Sequence, residues 1–313
     1  MTPRVVFLGN SQSVFSNRHF RALLETPCEL VGVVDAPPSR RGSTNPTPED
    51  TPPFTQTARR QGTPALEPDD PNEPGFVAAM RDLSPDLFVA VGYPNILKVD
   101  ILSVPHIVAA NFHASLLPAY RGKHPVFWAL RHGERTAGLT VHVMDPGIDT
   151  GDILYQVRVR TRKDDTVGTL YDRIMDKSVK LVEQLVRDAP DESWSRQKQS
   201  EPGASYFSSV SEEDFRLDWR MDASTIRRWI AITPGKCFSH LAGQQTFFTG
   251  AEEVPSPAGA SPGELVAIGR THCTIAAGVR AVRIRRARVG GAEERPAARL
   301  FRELGLSVGD RVG

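Results

Sequence analysis

"RVVFLGNSQSVFSNRHFRALLETPCELVGVVD" occupies residues 4–35, and its reading decides the fold. Its two ends, "RVVFLG" and "ELVGVVD", are apolar runs of strand length. Between them "SVFSNRHFRALLE" places Val14, Phe15, Leu23 and Leu24 where a helix gathers them on one face. Strand, helix and strand in so short a compass form a βαβ opening. Further strands are expected at "DLFVAVG" (86–92), "HIVAANFH" (106–113) and "GLTVHVM" (138–144). These runs are continuously apolar rather than alternating, which favours a mostly parallel sheet covered by helices on both faces. The expected class is α/β, with a Rossmann-like sheet.

Outward from that core, residues 36–74 are dense in Pro, Thr, Ser and Asp and read as a long surface loop with one short helix near 54–61. "TVGTLYDRIMDKSVKLVEQLVRD" begins at Thr166 as an N-cap and keeps Leu170, Ile174, Leu181, Val182 and Leu185 at helical spacing. The chain then turns polar, and short β-like runs broken by Gly and Pro follow. The expected organisation is a catalytic domain at 1–195, a linker at 196–204 and a smaller β-rich, OB-like domain at 205–313. Within the latter, "VRAVRIRRARV" alternates apolar residues with arginines, as a half-exposed strand with a solvated basic face would.

At 313 residues the chain accommodates one large and one small domain. Lys plus Arg (38) nearly equals Asp plus Glu (37), a formal charge of +1 that provides no global field to steer a polyanion. Cys28, Cys237 and Cys273 are scattered and fit no paired zinc spacing, so reduced core thiols and no metal are expected. No uncharged apolar run approaches about 18 residues, and "MTPRVVFLGN" lacks a long apolar stretch. A cytoplasmic protein without a membrane segment is the expectation.

"NFHASLLPAYRGKHPVFWAL" (111–130) sets Asn111 and His113 at i and i+2 near the end of a strand, so their side chains leave the same face. Parallel-sheet enzymes act beyond the carboxyl ends of their strands, which is where this pair would lie. A second segment, "VHVMDPGIDTGDIL", carries Asp145, Asp149 and Asp152 among glycines. An amide, an imidazole and a carboxylate together suit attack on an acyl carbon. The oxyanion needs donors aimed at it, the nucleophile must lose a proton, and a carboxylate can orient the imidazole. Taken singly, Asn111 also fits a turn cap, His113 a buried hydrogen-bonded ring and Asp149 an Asx turn.

Together, "NFHASLLPAYRG" and "HVMDPGIDTGDIL" resemble the signature of the 10-formyltetrahydrofolate-dependent formyltransferases, a family that includes methionyl-tRNA, sugar-nucleotide and hydroxyornithine formyltransferases. The likeness of layout runs from "RVVFLGN" through "YFSSVSEEDFRLDW" into the small C-terminal domain. It implies Asn111, His113 and Asp149 as the catalytic trio, and folate contacts at Ile96, Leu97, Asp145 and Ile148. The implied mechanism has a neutral amine attack the formyl carbon while Asn111 and protonated His113 hold the oxyanion. Asp149 orients His113 and helps remove the amine proton, with 10-formyltetrahydrofolate as co-substrate.

For the acceptor, Tyr120, Arg121, Lys123, Ser115 and Asn10 are the candidate contacts. After Arg121 the chain reads "GKHPVFWAL" where the initiator-tRNA subgroup usually has "GAAPIQ", and the subgroup's "QPxGKK" stretch is missing. Arg40 and Arg41 precede an acidic "PED", a weak patch for a phosphate backbone. The sequence therefore favours a small-molecule amine such as an amino-sugar nucleotide or natural-product precursor. A methionyl-tRNA acceptor is the alternative, formyl-folate hydrolysis the second. The small domain is expected to serve as a homodimer surface or as an acceptor wall.

Overall fold

The computed structural model describes residues 2–40, 46–47 and 52–313. Arg41 and the "PED" triplet lie outside the described residues. In chain order the first elements are β1 (Arg4–Gly9), α1 (Val14–Leu24), β2 (Glu29–Asp35), α2 (Phe54–Arg60), β3 (Ala65–Leu66), α3 (Pro74–Asp82), β4 (Leu87–Val91), α4 (Val99–Leu102) and β5 (Val108–His113). Then come β6 (Arg121–Gly122), α5 (Pro125–His132), β7 (Thr136–Val143), β8 (Ile153–Arg160), α6 (Val167–Ser178), α7 (Lys180–Asp188) and β9 (Tyr206–Phe207). The remainder is α8 (Ala223–Ile232), β10 (Phe238–Leu241), β11 (Gln244–Val254), β12 (Leu265–Ile268), β13 (Cys273–Ala276), β14 (Ala281–Val289), β15 (Arg295–Pro296) and α9 (Ala297–Glu303).

Seven of the described strands form one sheet in the order β3-β2-β1-β4-β5-β7-β8. The first five run parallel, whereas β7 and β8 are antiparallel to their neighbours. The sheet is thus mostly parallel, of the Rossmann-like kind the sequence leads one to expect. The continuous apolar runs have a simple cause. Val6 and Leu8 of β1 pack with Val34, Val77, Met80 and Phe88 on one face. On the other, the Phe7 ring meets Phe20 at 5.1 Å and Phe54 at 5.5 Å. A strand covered on both sides has no polar face to alternate with.

Among the elements that went unforeseen are α3 and β8. α3 rises from the Pro- and Asp-rich stretch because Pro74 occupies the first helical turn, where a missing N–H costs nothing. β8, "ILYQVRVR", is an edge strand whose outer half alternates buried Val159 with exposed arginines. The expected N-cap holds: Thr166 Oγ1 accepts the Thr169 N–H at 3.1 Å and Thr169 Oγ1 accepts the Thr166 N–H at 2.9 Å. The helix it starts is interrupted at Val179 instead of running through, because Val182 N–H bonds Val179 O in a tighter turn.

The described chain divides into two compact units. One comprises Met1–Val126, Thr136–Arg160 and Leu170–Ser208; the other comprises Phe127–Arg135, Thr161–Thr169 and Ser209–Gly313. Residues 196–204 belong to the first, where Gln197 and Ile153 exchange both backbone hydrogen bonds. The second contains an antiparallel sheet ordered β10-β11-β14-β13-β12, with β15 paired to β14. Its core gathers Trp219, Ile226, Phe248, Ile284 and Phe301. Asp222 caps α8 by accepting the Ser224 N–H at 2.7 Å.

Candidate active site

The pleat of β5 sends Asn111 and His113 to the same side, at the carboxyl end of a strand flanked by β4 and β7. Across the ladder Asn111 pairs with His142 and His113 with Thr140. Beyond β7 the loop at 144–152 doubles back, closed by the Val143 N–H to Asp152 O at 2.9 Å. Asp145 ties the loop internally, accepting from Thr150 Oγ1 at 2.7 Å and from the Gly147 N–H at 3.2 Å. A Cβ on Gly151 would stand 2.0 Å from Val143 O, so only glycine lets the two segments approach this closely. The result lifts Asp149, with φ of 55°, into contact with the β5 residues.

Asn111, His113 and Asp149 come together. Asn111 Nδ2 donates to Asp149 Oδ1 at 3.3 Å and to His142 Nε2 at 3.1 Å. Asp149 Oδ2 lies 3.5 Å from His113 Nδ1 and accepts the Gly122 N–H at 2.8 Å. His113 Nε2 faces Tyr120 O at 2.8 Å, and since a carbonyl only accepts, that nitrogen carries a proton. Burial lowers the His113 pKa, and His142 adds to the shift; the Asp149 carboxylate and the Tyr120 carbonyl oppose it. Burial, at 7% exposure, thus works against the protonated ring expected from sequence, while the carboxylate beside Nδ1 works for it. Burial raises the Asp149 pKa, but at the low pH where this carboxyl titrates, the charge of protonated His113 and His142, with the Gly122 N–H, outweighs burial and holds it at about 2.

Residues further along the chain brace this centre. Gln199 Nε2 donates to Asp149 O and Gly151 O, both at 2.8 Å. Its Oε1 accepts from Arg121 Nε at 3.1 Å and Nη2 at 2.9 Å. Arg121, a candidate acceptor contact, is therefore a buried strut for the loop, with its guanidinium turned to Gln199 and Glu201. Tyr120 stacks on Phe207 with ring centroids 5.4 Å apart. Ser115 Oγ donates to Ala119 O at 2.8 Å, and Asn10 Oδ1 accepts the Gln12 N–H in the β1–α1 turn. Lys123 is exposed, its backbone N–H bonded to Phe207 O. Of the candidate folate contacts, Leu97 is buried, whereas Ile96 is 64% and Ile148 43% exposed, both large apolar side chains facing open space.

Sequence reasoning missed His142, Gln199 and Gly122. His142 sits within a run read as plain strand, and its partner Asn111 is 31 positions away. Gln199 lies in a stretch read as linker. The signal for His142 was the alternation in "VHVM", which puts it on the face of Asn111 once register is known. Among the described residues no group of three or more His, Cys, Asp or Glu side chains is placed to hold a metal ion. No described helix is long and apolar enough to cross a membrane.

An open α/β sheet that gathers an amide, imidazoles and a carboxylate beyond one strand end is the arrangement of a group-transfer enzyme. Residues 3–186 match the family described as formyl transferase and residues 209–305 its C-terminal domain. The chain belongs to the formyl transferase family and is a formyl-transferring enzyme. A methionyl-tRNA formyltransferase of Synechococcus sp. (strain JA-3-3Ab) is 33% identical, the alignment covering 98% of each chain. The N-formyltransferase of Helicobacter canadensis, solved with folinic acid and dTDP-3-aminofucose, superposes with a TM-score of 0.66 at 16% identity over 91% of this chain and 99% of its own. HypX from Aquifex aeolicus superposes with a TM-score of 0.59 at 19% identity over 97% of this chain. This chain spans about half of HypX, 49% of its length. At such identities the two structures show the fold alone.

The relatives overturn the expected small-molecule acceptor. Curated proteins 29 to 33% identical over 84 to 99% of the chain carry the name methionyl-tRNA formyltransferase. The physical reason for the misreading lies in α5. Val126, Phe127, Ala129 and Leu130 are all buried, so the departure at "PVFWAL" reports how a helix packs, not what an acceptor surface meets.

Proposed function

We propose that this protein transfers the formyl group of 10-formyltetrahydrofolate to the α-amino group of methionyl-tRNA. The observation that carries the reading is the near full-length similarity, in both directions, to relatives named for that reaction. Support comes from the exposed Ile96 and Ile148, uncovered apolar side chains suited to a flat, partly apolar ring system. The folate supplies the formyl group.

Asn111 is the oxyanion donor. At rest its two amide hydrogens point to His142 and Asp149, and the longer contact, to Asp149 at 3.3 Å, is the one redirected to the developing negative oxygen. Asp149 and His113 form the proton acceptor. With His113 Nε2–H held by Tyr120 O, the Nδ1 lone pair faces Asp149 Oδ2 at 3.5 Å, a gap that one proton bridges. As the amine nitrogen bonds the formyl carbon, the proton it sheds passes to this pair. The same proton protonates the departing N10 when the old C–N bond breaks, so charge and atoms balance.

Incubation of the protein with 10-formyltetrahydrofolate alone, with methionyl initiator tRNA and with a panel of small amines tests the reading. Formyl-methionyl-tRNA is the expected product. Formate released without an acceptor, or transfer confined to a small amine, overturns it.

A further inference from the structure

His142 takes no part in the trio, yet it is 2% exposed and enclosed by it. Its Nδ1 faces Val143 O at 2.8 Å; a carbonyl only accepts, so Nδ1 carries a proton. Its Nε2 stands 3.1 Å from Asn111 Nδ2 and 3.4 Å from Asp149 Oδ1. Asn111 Nδ2 is a donor because the Asp149 carboxylate beside it accepts, so Nε2 completes the set by accepting. The bonds run one way: Val143 O receives from His142, His142 receives from Asn111, and Asn111 also gives to Asp149.

We propose that His142 is a positioning residue for the transfer, fixing which end of the Asn111 carboxamide faces the reacting formyl oxygen. The inference rests on the function proposed above. A carboxamide turned through 180° presents oxygen where a donor is needed, and its two ends are nearly equal in size and shape. Asp149 holds the amide from one side through its longer bond, which the reaction borrows. During that exchange the His142 contact is the one that keeps the amide in place. The cross-strand register fixes it: Asn111 and His142 are direct partners between β5 and β7, so their separation is set by the backbone ladder.

The test is kinetic, with wild-type protein, 10-formyltetrahydrofolate and methionyl-tRNA. His142→Phe keeps a ring but removes the acceptor. It should lower kcat roughly 10- to 100-fold, as misplacement of a reacting group does, with KM for both substrates within about 3-fold. His142→Gln, whose Oε1 can accept from Asn111, should recover most of that loss. In an Asn111→Ala background His142→Phe should cost nothing more, because the group it positions is gone. Wild-type kcat in a folded His142→Phe, no recovery in His142→Gln, or losses that multiply in the double variant each overturn the proposal. If His142→Phe fails to fold, the Gln variant and its combination with Asn111→Ala decide by the same criteria. Wild-type protein that formylates no methionyl-tRNA brings down the functional reading and this inference together, whereas active wild type with indifferent His142 variants sinks the inference alone.

Discussion

Gly122 has no space for a methyl group. A Cβ there would lie 2.2 Å from Phe207 O, and the backbone adopts φ of 92°. Gly122→Ala should cost about 1–3 kcal/mol of stability and draw the N–H away from Asp149, so denaturant unfolding and turnover should fall together. By contrast, Asn111→Ala, His113→Ala and Asp149→Ala remove the side chains that meet beyond the end of β5. Each should reduce transfer roughly 100- to 1000-fold while circular dichroism shows the fold retained. Near wild-type turnover in any of them removes its assigned role. At this scale the sequence was readable where a period of two sufficed, as for Asn111 and His113. It was opaque where a role depends on register, as for His142, or on a side chain reaching back from a distant segment, as for Gln199.

Among elements, the loop bearing Asp149 is held less by its neighbours in sequence than by Gln199, which grips two of its carbonyls while Arg121 grips Gln199. Gln199→Leu should leave the sheet intact yet speed amide hydrogen exchange across residues 145–152 and lower kcat/KM about 10-fold or more. Unchanged exchange in that loop would refute the bracing role. A second joint links α1 to α6, where His19 Nδ1 donates to Phe15 O and Nε2 meets Ser178 Oγ at 2.9 Å. Burial lowers the His19 pKa from 6.5 to about 4. The unfolded chain therefore takes a proton near pH 6.5 that the folded chain refuses until about pH 4. Stability is full above pH 6.5 and declines as pH falls towards 4, by up to about 1.4 kcal/mol per pH unit. His113 adds a contribution of the same sign. Urea midpoints measured between pH 7.5 and 5 should fall, and His19→Leu should flatten the slope; an unchanged slope would show that the ring is not held neutral. The strands of the inner sheet were legible because burial on both faces leaves an unbroken apolar run, whereas edge strand β8 shows only half the signal.

For the whole molecule, charge is the property most easily misjudged from sequence. The basic residues at 280–288 are expected as a solvated row; alternation along β14 breaks at Arg285 and Arg286, both exposed, and these cations are engaged. Arg283 and Arg285 both reach Glu252, Arg286 reaches Glu294 at 3.4 Å and Arg280 reaches Glu253 at 2.9 Å. Arg288 lies over the Phe247 ring. An arginine already matched by a carboxylate gains little from a phosphate, because it must first give up that partner. Arg285→Ala should change the Kd for methionyl-tRNA by less than about 3-fold and the salt slope by less than about one. A steeper loss would make this strand part of the nucleic-acid surface. Composition correctly indicates a near-neutral protein; only coordinates reveal which charges are already matched.

The clamp on Asp149 also has a consequence in time. Gln199 follows Asp149 by 50 residues, and at a synthesis pace of roughly 5–20 residues per second it emerges several seconds later. During that interval a nascent chain already carries every reacting side chain but lacks the fastener that sets their spacing. Full competence for chemistry therefore waits on a residue made well after the reacting groups themselves.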